Sequence, residues 1–324
     1  MLKFEEIQNI VNNEIAKLDF KSEPVELYQP ISYVLSGNGK RLRSCLALLS
    51  CNLFNNDIRN AIKPAIGVEM FHNFTLLHDD IMDKADLRRN KPTVHKKWNE
   101  NVAILSGDAM LIKAYDLFFE LKPEILAKVI EVFNKAALQV CEGQQYDMNF
   151  ETKIDVTTDE YIKMITLKTA VLLAASLKIG AIIGGATLKD ADLLYYYGIN
   201  LGIAFQLQDD YLDVYGDVKT FGKKIGGDIV SNKKTYLLIS AIENAKDENK
   251  YKLLNLLYNK HIESQEKIKE VTDIYNDLNI PQVLKEKLHF YHSQAVNNIS
   301  QVNAKKGDIN VFIQLSNNLL IRKK

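Results

Sequence analysis

The sequence predicts an all-α protein, and three observations carry that reading. Apolar residues recur at helical spacing along nearly the whole chain. Strand-type alternation never survives more than a few residues, and only 6 prolines interrupt 324 residues. With 47% hydrophobic residues the chain can bury a large core. It has no linker or low-complexity stretch, so one helical domain over residues 1–324 is expected.

The elements follow in order. Residues 3–20 read as an amphipathic helix whose start lacks the apolar stretch of a signal peptide. Residues 22–30 are expected to connect, with Pro24 and Pro30 limiting helix on both sides. The turn Gly37, Asn38, Gly39 then delivers Lys40, Arg41 and Arg43 to an apolar helix, SCLALLSCNLF. Basic residues at a glycine turn and a helix start suit an anion, because unpaired backbone N–H groups point the same way. An ordinary surface turn is the plainer alternative. Helices are expected over 65–83, from near Val102, over 124–149 and over 158–186. The apolar run 169–186 contains Lys178, Gly180, Gly184 and Gly185. It falls short of an uninterrupted span of about 20 residues, so a buried core helix is expected and no membrane span. A helix over 190–215 precedes the loop GDVKTFGKKIGGDIVSNKKT, with Lys223, Lys224, Lys233 and Lys234. More polar helices follow Tyr236, with turns expected at 247–249, 276–281 and 305–308.

Lys plus Arg is 41 and Asp plus Glu is 41, so no basic excess points to nucleic acid. Cys45, Cys51 and Cys141 are odd in number and set in apolar surroundings. That pattern suits reduced thiols in a cytoplasmic core.

Charge clusters locally instead. In EMFHNFTLLHDDIMD, Asp79, Asp80 and Asp83 share one side of a helix with His72 and Leu76, and Arg88 and Arg89 follow. Two carboxylates 4 Å apart repel by roughly 4 kcal/mol at an effective dielectric of about 20, so such a cluster needs solvent, protons or cations. Hard carboxylate oxygens with room left for phosphate suit Mg²⁺. One such motif could be a solvated helix end. A second, FQLQDDYLD, places Gln206, Asp209, Asp210 and Asp213 on one side of another apolar helix, again followed by clustered lysines. Acid for metal beside base for phosphate, twice over, is the pattern of a metal-bridged polyphosphate site.

With these motifs the chain resembles the trans-isoprenyl diphosphate synthases, the polyprenyl synthetase family, over most of its length. The resemblance rests on NGKRLR, EMFHNFTLLHDDIMD with its two arginines, PTVH then AILSGDAML, Lys168 and Thr169, FQLQDDYLD, and GKKIGGDIVSNKKT. It implies a helical bundle with the two aspartate motifs facing each other across a deep central cavity, usually as a homodimer. It further implies three Mg²⁺ ions, contacted chiefly by Asp79, Asp83 and Asp209 and supported by Asp80, Asp210 and Asp213. Lys40, Arg43, His72 and Arg89 would hold isopentenyl diphosphate. Arg88, Lys168, Lys223 and Lys233 would clamp the allylic diphosphate, with Thr169 and Gln206 near the developing cation. Arginine forks match phosphate oxygens, and lysines add compact charge. The implied reaction is ionisation of the allylic diphosphate, attack by isopentenyl diphosphate and loss of a proton, with water excluded.

The chain departs from the family at Ser44, where proline is usual, and at Asn38 and Asn90, where glycine is common. Asparagine tolerates a left-handed backbone better than most residues, so both turns are expected to survive. In the family, bulk one turn before the first motif forms a floor for the growing tail. Phe74 and Thr75 stand there, with Phe71 further down, which suggests a farnesyl or geranylgeranyl product, the latter favoured. On a helical wheel Phe74 lies away from the aspartate face, so its role rests on the resemblance. Three rivals are a class I terpene cyclase, a non-catalytic subunit, and a di-iron bundle using Glu69/His72 and Glu286/His289. The basic end, Arg322, Lys323 and Lys324, is either a closing segment or a frayed terminus.

Overall fold

Sixteen α-helices and one two-stranded hairpin make up the described part of the chain. The computed structural model describes residues 2–37, 39–153, 155–216, 225–259, 261–304 and 306–321. Lys223, Lys224, Asn38 and residues 322–324 lie outside the described residues. The helices are α1 (Phe4–Ala16), α2 (Val25–Leu35), α3 (Leu42–Phe54), α4 (Arg59–Met82), α5 (Val94–Lys97) and α6 (Glu100–Asp116). Then come α7 (Pro123–Thr152), α8 (Thr158–Ile165), a π-turn (Thr166–Ala170), α9 (Val171–Gly184) and α10 (Leu188–Tyr215). The last six are α11 (Gly227–Val230), α12 (Tyr236–Asn244), α13 (Asp247–Tyr258), α14 (Ser264–Asp277), α15 (Ile280–Ser300) and α16 (Asn310–Ile321). The expected all-α class is what the chain adopts, and its strands, β1 (Leu87–Arg88) and β2 (Lys91–Pro92), form a single short hairpin.

The chain packs as two compact units. The first comprises Met1–Lys135, Ala175–Tyr195 and Val302–Ile309. Its centre is α3, buried from Ser44 to Phe54, with Ile66, Val68, Met70 and Phe71 of α4 also in the core. A helix apolar on all sides belongs in such a place. The glycines that punctuate the apolar run around 169–186 are a packing surface: a Cβ at Gly180 would lie 1.9 Å from the Ala47 carbonyl oxygen, and one at Gly184 2.6 Å from that of Cys51. Ser50 closes the contact by donating to the Leu177 carbonyl at 2.6 Å.

The second unit comprises Ala136–Ala174, Tyr196–Gln301 and Asn310–Lys324. Its core joins Tyr161, Ile165, Leu207, Leu237, Ile239, Leu253, Val271, Tyr275 and Leu284. The Tyr197 hydroxyl ties in α16 by donating to the Phe312 carbonyl at 3.0 Å.

Several expectations need correction. Pro30 lies inside α2 instead of ending a connector. It removes one N–H from a helix whose Glu26 turn is exposed, and its buried ring packs, so the loss is tolerated. The helix of the first motif starts at Arg59, six residues earlier than expected, and carries Pro64 within it. Residues 247–249 begin α13 and do not form a turn; the break falls just before, at Ala245 and Lys246. Among the described residues one continuous helix, Thr158–Gly184, is long and apolar enough to cross a membrane, so the expected shortfall in length is wrong. Its most apolar window is 67% buried within the protein, as a core helix is. Cys45 and Cys51 are buried, and burial pushes both thiols up to about 12. Cys141, expected inside, sits on the exposed face of α7 beside Leu138.

Candidate active site

In the first unit α4 carries His72, Asp79 and Asp80 and ends at the motif itself. The Lys84 N–H donates to the Ile81 carbonyl and the Ala85 N–H to that of Asp80, with Lys84 left-handed at φ 51. This Schellman end stops the helix at Asp83 and turns the chain back. Leu87 pairs with Pro92 and Arg88 with Lys91, leaving Arg89 and Asn90 as a two-residue turn, both left-handed at φ 52 and 61. Such turns match the twist of a hairpin, and Asn90 suits its place in one. Arg89 is a strained choice, of the sort kept where the side chain has work to do. The Tyr33 hydroxyl donates to the Pro92 carbonyl at 2.9 Å and the Thr93 hydroxyl to that of Ala85 at 2.7 Å, which hold the hairpin down. A cavity of about 110 Å³ lies beneath, lined in part by Tyr33, Asn73, Leu76, Asp80, Arg88 and Arg89. It has room for roughly three waters at ~30 Å³ each.

The hairpin returns its arginines to the motif. Arg88 Nε donates to Asp80 Oδ1 at 2.6 Å, and its Nη2 lies 3.7 Å from Asp79 Oδ2. Arg89 sits against Gly39, whose missing Cβ would come within 2.7 Å of the guanidinium. Nearby, Arg43 Nη1 and His72 Nε2 are 2.9 Å apart. Burial, then Arg43, Arg89, Arg88 and Arg41, hold the imidazole well below its usual pKa, so it is neutral and Nε2 accepts. Burial also draws the Arg43 guanidinium down to about 10, and Arg43 Nε is buried without a hydrogen-bond partner among the described residues. An unsatisfied buried guanidinium nitrogen beside a neutral imidazole is a place prepared for an anion.

Beneath these cations lies Glu69, 2% exposed. Arg41 Nη1 is 3.7 Å from its Oε1, and the Ser44 hydroxyl donates to its Oε2 at 3.3 Å. Arg41 is itself buried and donates through Nη2 to the carbonyls of Leu35 and Gly37. Glu69 therefore serves as a counter-ion and Arg41 as a brace; Glu69 and His72, the proposed half of a di-iron site, are both engaged by arginine. Lys40 is exposed at the turn. Phe71 is buried and packs on Phe133 at 5.2 Å. Phe74, half-buried, packs on Phe71 at 5.5 Å and His78 at 4.7 Å, while the Thr75 hydroxyl donates to the His72 carbonyl.

In the second unit the two adjacent aspartates of α10 part company. Asp210 is 3% exposed. It accepts from the Tyr161 hydroxyl at 2.5 Å, from the Tyr236 N–H at 3.2 Å and from Gln206 Nε2 at 3.2 Å. Burial dominates and pushes its carboxyl up to about 7. Asp209 and Asp213 are half-buried, and Asp213 Oδ2 accepts from the Asp228 N–H at 3.0 Å. Lys168 and Thr169 sit in the π-turn, a feature that often marks functional sites. It is pinned on both sides by glycine: a Cβ at Gly143 of α7 would lie 2.2 Å from the Lys168 backbone nitrogen, and one at Gly202 of α10 2.6 Å from Ala170. Lys168 Nζ donates to Asp147 Oδ2 at 2.6 Å, and the Thr169 hydroxyl to Gln206 Oε1 at 3.4 Å. Lys233 is exposed at the end of the lysine loop.

Asp147 and Tyr161 lie outside every motif read from the sequence, and Asp228 lies within the lysine loop without a role assigned to it. For Asp147 a signal existed, since a glycine midway along a 30-residue helix costs about 1 kcal/mol and calls for a reason. Asp80 and Asp210 are buried and accept from protein donors, Asp79 and Asp209 are half-buried, and Asp83 is exposed. No three His, Cys, Asp or Glu side chains among the described residues converge to enclose an ion by themselves. Mg²⁺ keeps several waters and takes one or two carboxylates together with substrate phosphates, so this donor set fits it.

An all-α chain with hard carboxylates beside buried and surface cations is, as a class, equipped for diphosphate chemistry. Residues 24–275 match the family model described as polyprenyl synthetase, and the chain belongs to that family. It is 38% identical over 308 residues to the geranylgeranyl diphosphate synthase of Sulfolobus acidocaldarius, covering 93% of this chain and 92% of that protein. It is 41% identical over 248 residues to that of Methanosarcina mazei, covering 75% and 76%. A crystal structure of a geranylgeranyl pyrophosphate synthase matches 100% of both chains at 42% identity with a TM-score of 0.95.

Proposed function

We propose that this enzyme joins isopentenyl diphosphate to allylic diphosphates and releases geranylgeranyl diphosphate. It is a trans-isoprenyl diphosphate synthase, a prenyltransferase of the short-chain type. The observation that carries the site assignment is the buried Arg43 Nε, unsatisfied among the described residues, beside neutral His72, which lies about two helical turns before the first aspartate motif. Lys40, Arg43, His72 and Arg89 hold the isopentenyl diphosphate; Arg88, Lys168, Lys223 and Lys233 hold the allylic one. Asp79, Asp83 and Asp209 would hold Mg²⁺, three ions by the family pattern, with Asp80, Asp210 and Asp213 in support. When bound, the metal supplies Lewis-acid stabilisation of the leaving diphosphate.

The allylic C–O bond ionises as Arg88 and the lysines meet the charge that gathers on the leaving group. Thr169 and Gln206 stand near the cation. The double bond of isopentenyl diphosphate attacks the cation to form the new C–C bond, and the released diphosphate takes the proton that is lost. That base is chosen because the motif carboxylates are committed elsewhere, Asp80 to Arg88 and Asp210 to Tyr161. The chain acts as one catalytic domain, in the cytoplasm and as a homodimer, a state supported by the exposed Ile104, Leu105 and Ile112 on α6.

The test incubates the purified chain with Mg²⁺, isopentenyl diphosphate and dimethylallyl, geranyl or farnesyl diphosphate in turn. Geranylgeranyl diphosphate is expected from each. Hydrocarbon release from an allylic diphosphate alone would instead mark a cyclase, and an inactive chain a partner subunit. Asp209→Ala should lower turnover about a thousandfold, the scale of losing a main electrostatic stabiliser. A near-normal rate would end the account in which both motifs serve one substrate.

A further inference from the structure

The lysine loop ends in a corner whose hydrogen bonds converge on a residue outside every motif. Lys267, on α14, is only 5% exposed. Its ammonium donates to Asn232 Oδ1 at 2.6 Å and to the Val230 carbonyl at 3.3 Å. Both partners are neutral oxygens, and burial alone draws the lysine pKa down. An ammonium buried with no carboxylate partner among the described residues is an expensive way to fill space, since a hydrocarbon of similar length would pack there without the desolvation penalty.

What the ammonium holds is the residue before Lys233. Asn232 is left-handed at φ 57, and its amide is gripped at both ends, Oδ1 by Lys267 and Nδ2 by the Leu257 carbonyl at 2.9 Å. The Val230 carbonyl closes α11, so Lys267 also caps that short helix. The next backbone links are made as well: the Lys233 N–H donates to the Asp228 carbonyl at 2.9 Å, and the Thr235 N–H to the Lys233 carbonyl at 2.8 Å. The Asp228 N–H in turn donates to Asp213 of the second motif. Ile268, next to Lys267, would stand 2.6 Å from a Cβ at Gly226, so α14 packs directly on the loop.

We propose that Lys267 is a positioning residue, fixing the Val230 to Asn232 corner so that Lys233 is presented to the allylic diphosphate. The inference rests on the reading that Lys233 binds that diphosphate, and the variants separate the two. Lys267→Met is expected to raise KM for the allylic substrate about tenfold, on the scale expected when a binding group is displaced by a fraction of an ångström, and to leave KM for isopentenyl diphosphate within about twofold. Asn232→Gly keeps the left-handed backbone, removes the acceptor and should do the same, which covers the case in which Lys267→Met fails to fold. In a Lys233→Ala background Lys267→Met should add nothing, because the group it positions is gone. Multiplicative effects in that double variant, or a lower melting temperature with both KM values unchanged, would overturn the proposal. If Lys233→Ala alone leaves the allylic KM untouched, the assignment of Lys233 falls, and the role of Lys267 with it.

Discussion

The Tyr161 hydroxyl donates to Asp210 at 2.5 Å, so the middle aspartate of the second motif is anchored in the core of its unit. Tyr161 comes from α8 and its carboxylate partner from α10, 49 residues later. Tyr161→Phe removes one donor from a buried acceptor and should cost about 1–3 kcal/mol of stability, read by chemical denaturation. Turnover should fall with it while KM for isopentenyl diphosphate holds. An unchanged unfolding midpoint would mean that the remaining donors suffice.

Arg89 combines a left-handed backbone with a guanidinium packed against Gly39. Arg89→Gly relieves the backbone and deletes the charge, so stability should be kept while KM for isopentenyl diphosphate rises roughly ten- to a hundredfold, the worth of a charge-assisted hydrogen bond. Steady-state kinetics beside thermal unfolding separates the two effects.

His72 predicts a pH dependence of stability. Folded, its pKa lies well below 6.5; unfolded, it returns to about that value. Below 6.5 the unfolded chain therefore binds a proton that the folded chain does not, and this residue's share of stability is present above 6.5 and lost as pH falls beneath it. His72→Gln should lose less stability than the parent between about pH 7.5 and 5.5 by urea titration. Identical slopes would show that His72 titrates normally.

Phe74 is half-buried against Phe71 and His78. If its ring limits the tail, Phe74→Ala should shift products by at least one five-carbon unit upward, seen by chromatography. Unchanged products with lower stability would make the ring core packing, as Phe71 is.

Much of this was legible beforehand, because it depends on spacing within one element. The i, i+1, i+4 pattern puts Asp79, Asp80 and Asp83 at the end of α4, and the glycine turn delivers Lys40 and Arg43 to α3. Asn90 in a left-handed turn followed from the resemblance, which has glycine there, together with asparagine's tolerance of that backbone. What tertiary structure decided was which of these groups are spent on protein partners. Asp210 pairs with Tyr161, Asp80 with Arg88 folded back by the hairpin, Lys168 with Asp147, and Lys267 with Asn232. Nor could periodicity show that Gly143, Gly180 and Gly202 mark where one backbone rests on another, or that residues 166–170 leave α-helical register. Helical faces repeat every few residues and can be counted along the chain. The partners of a buried charge lie far along the chain, 49 residues for Asp210 and 113 for Asp190, and only packing brings them within reach.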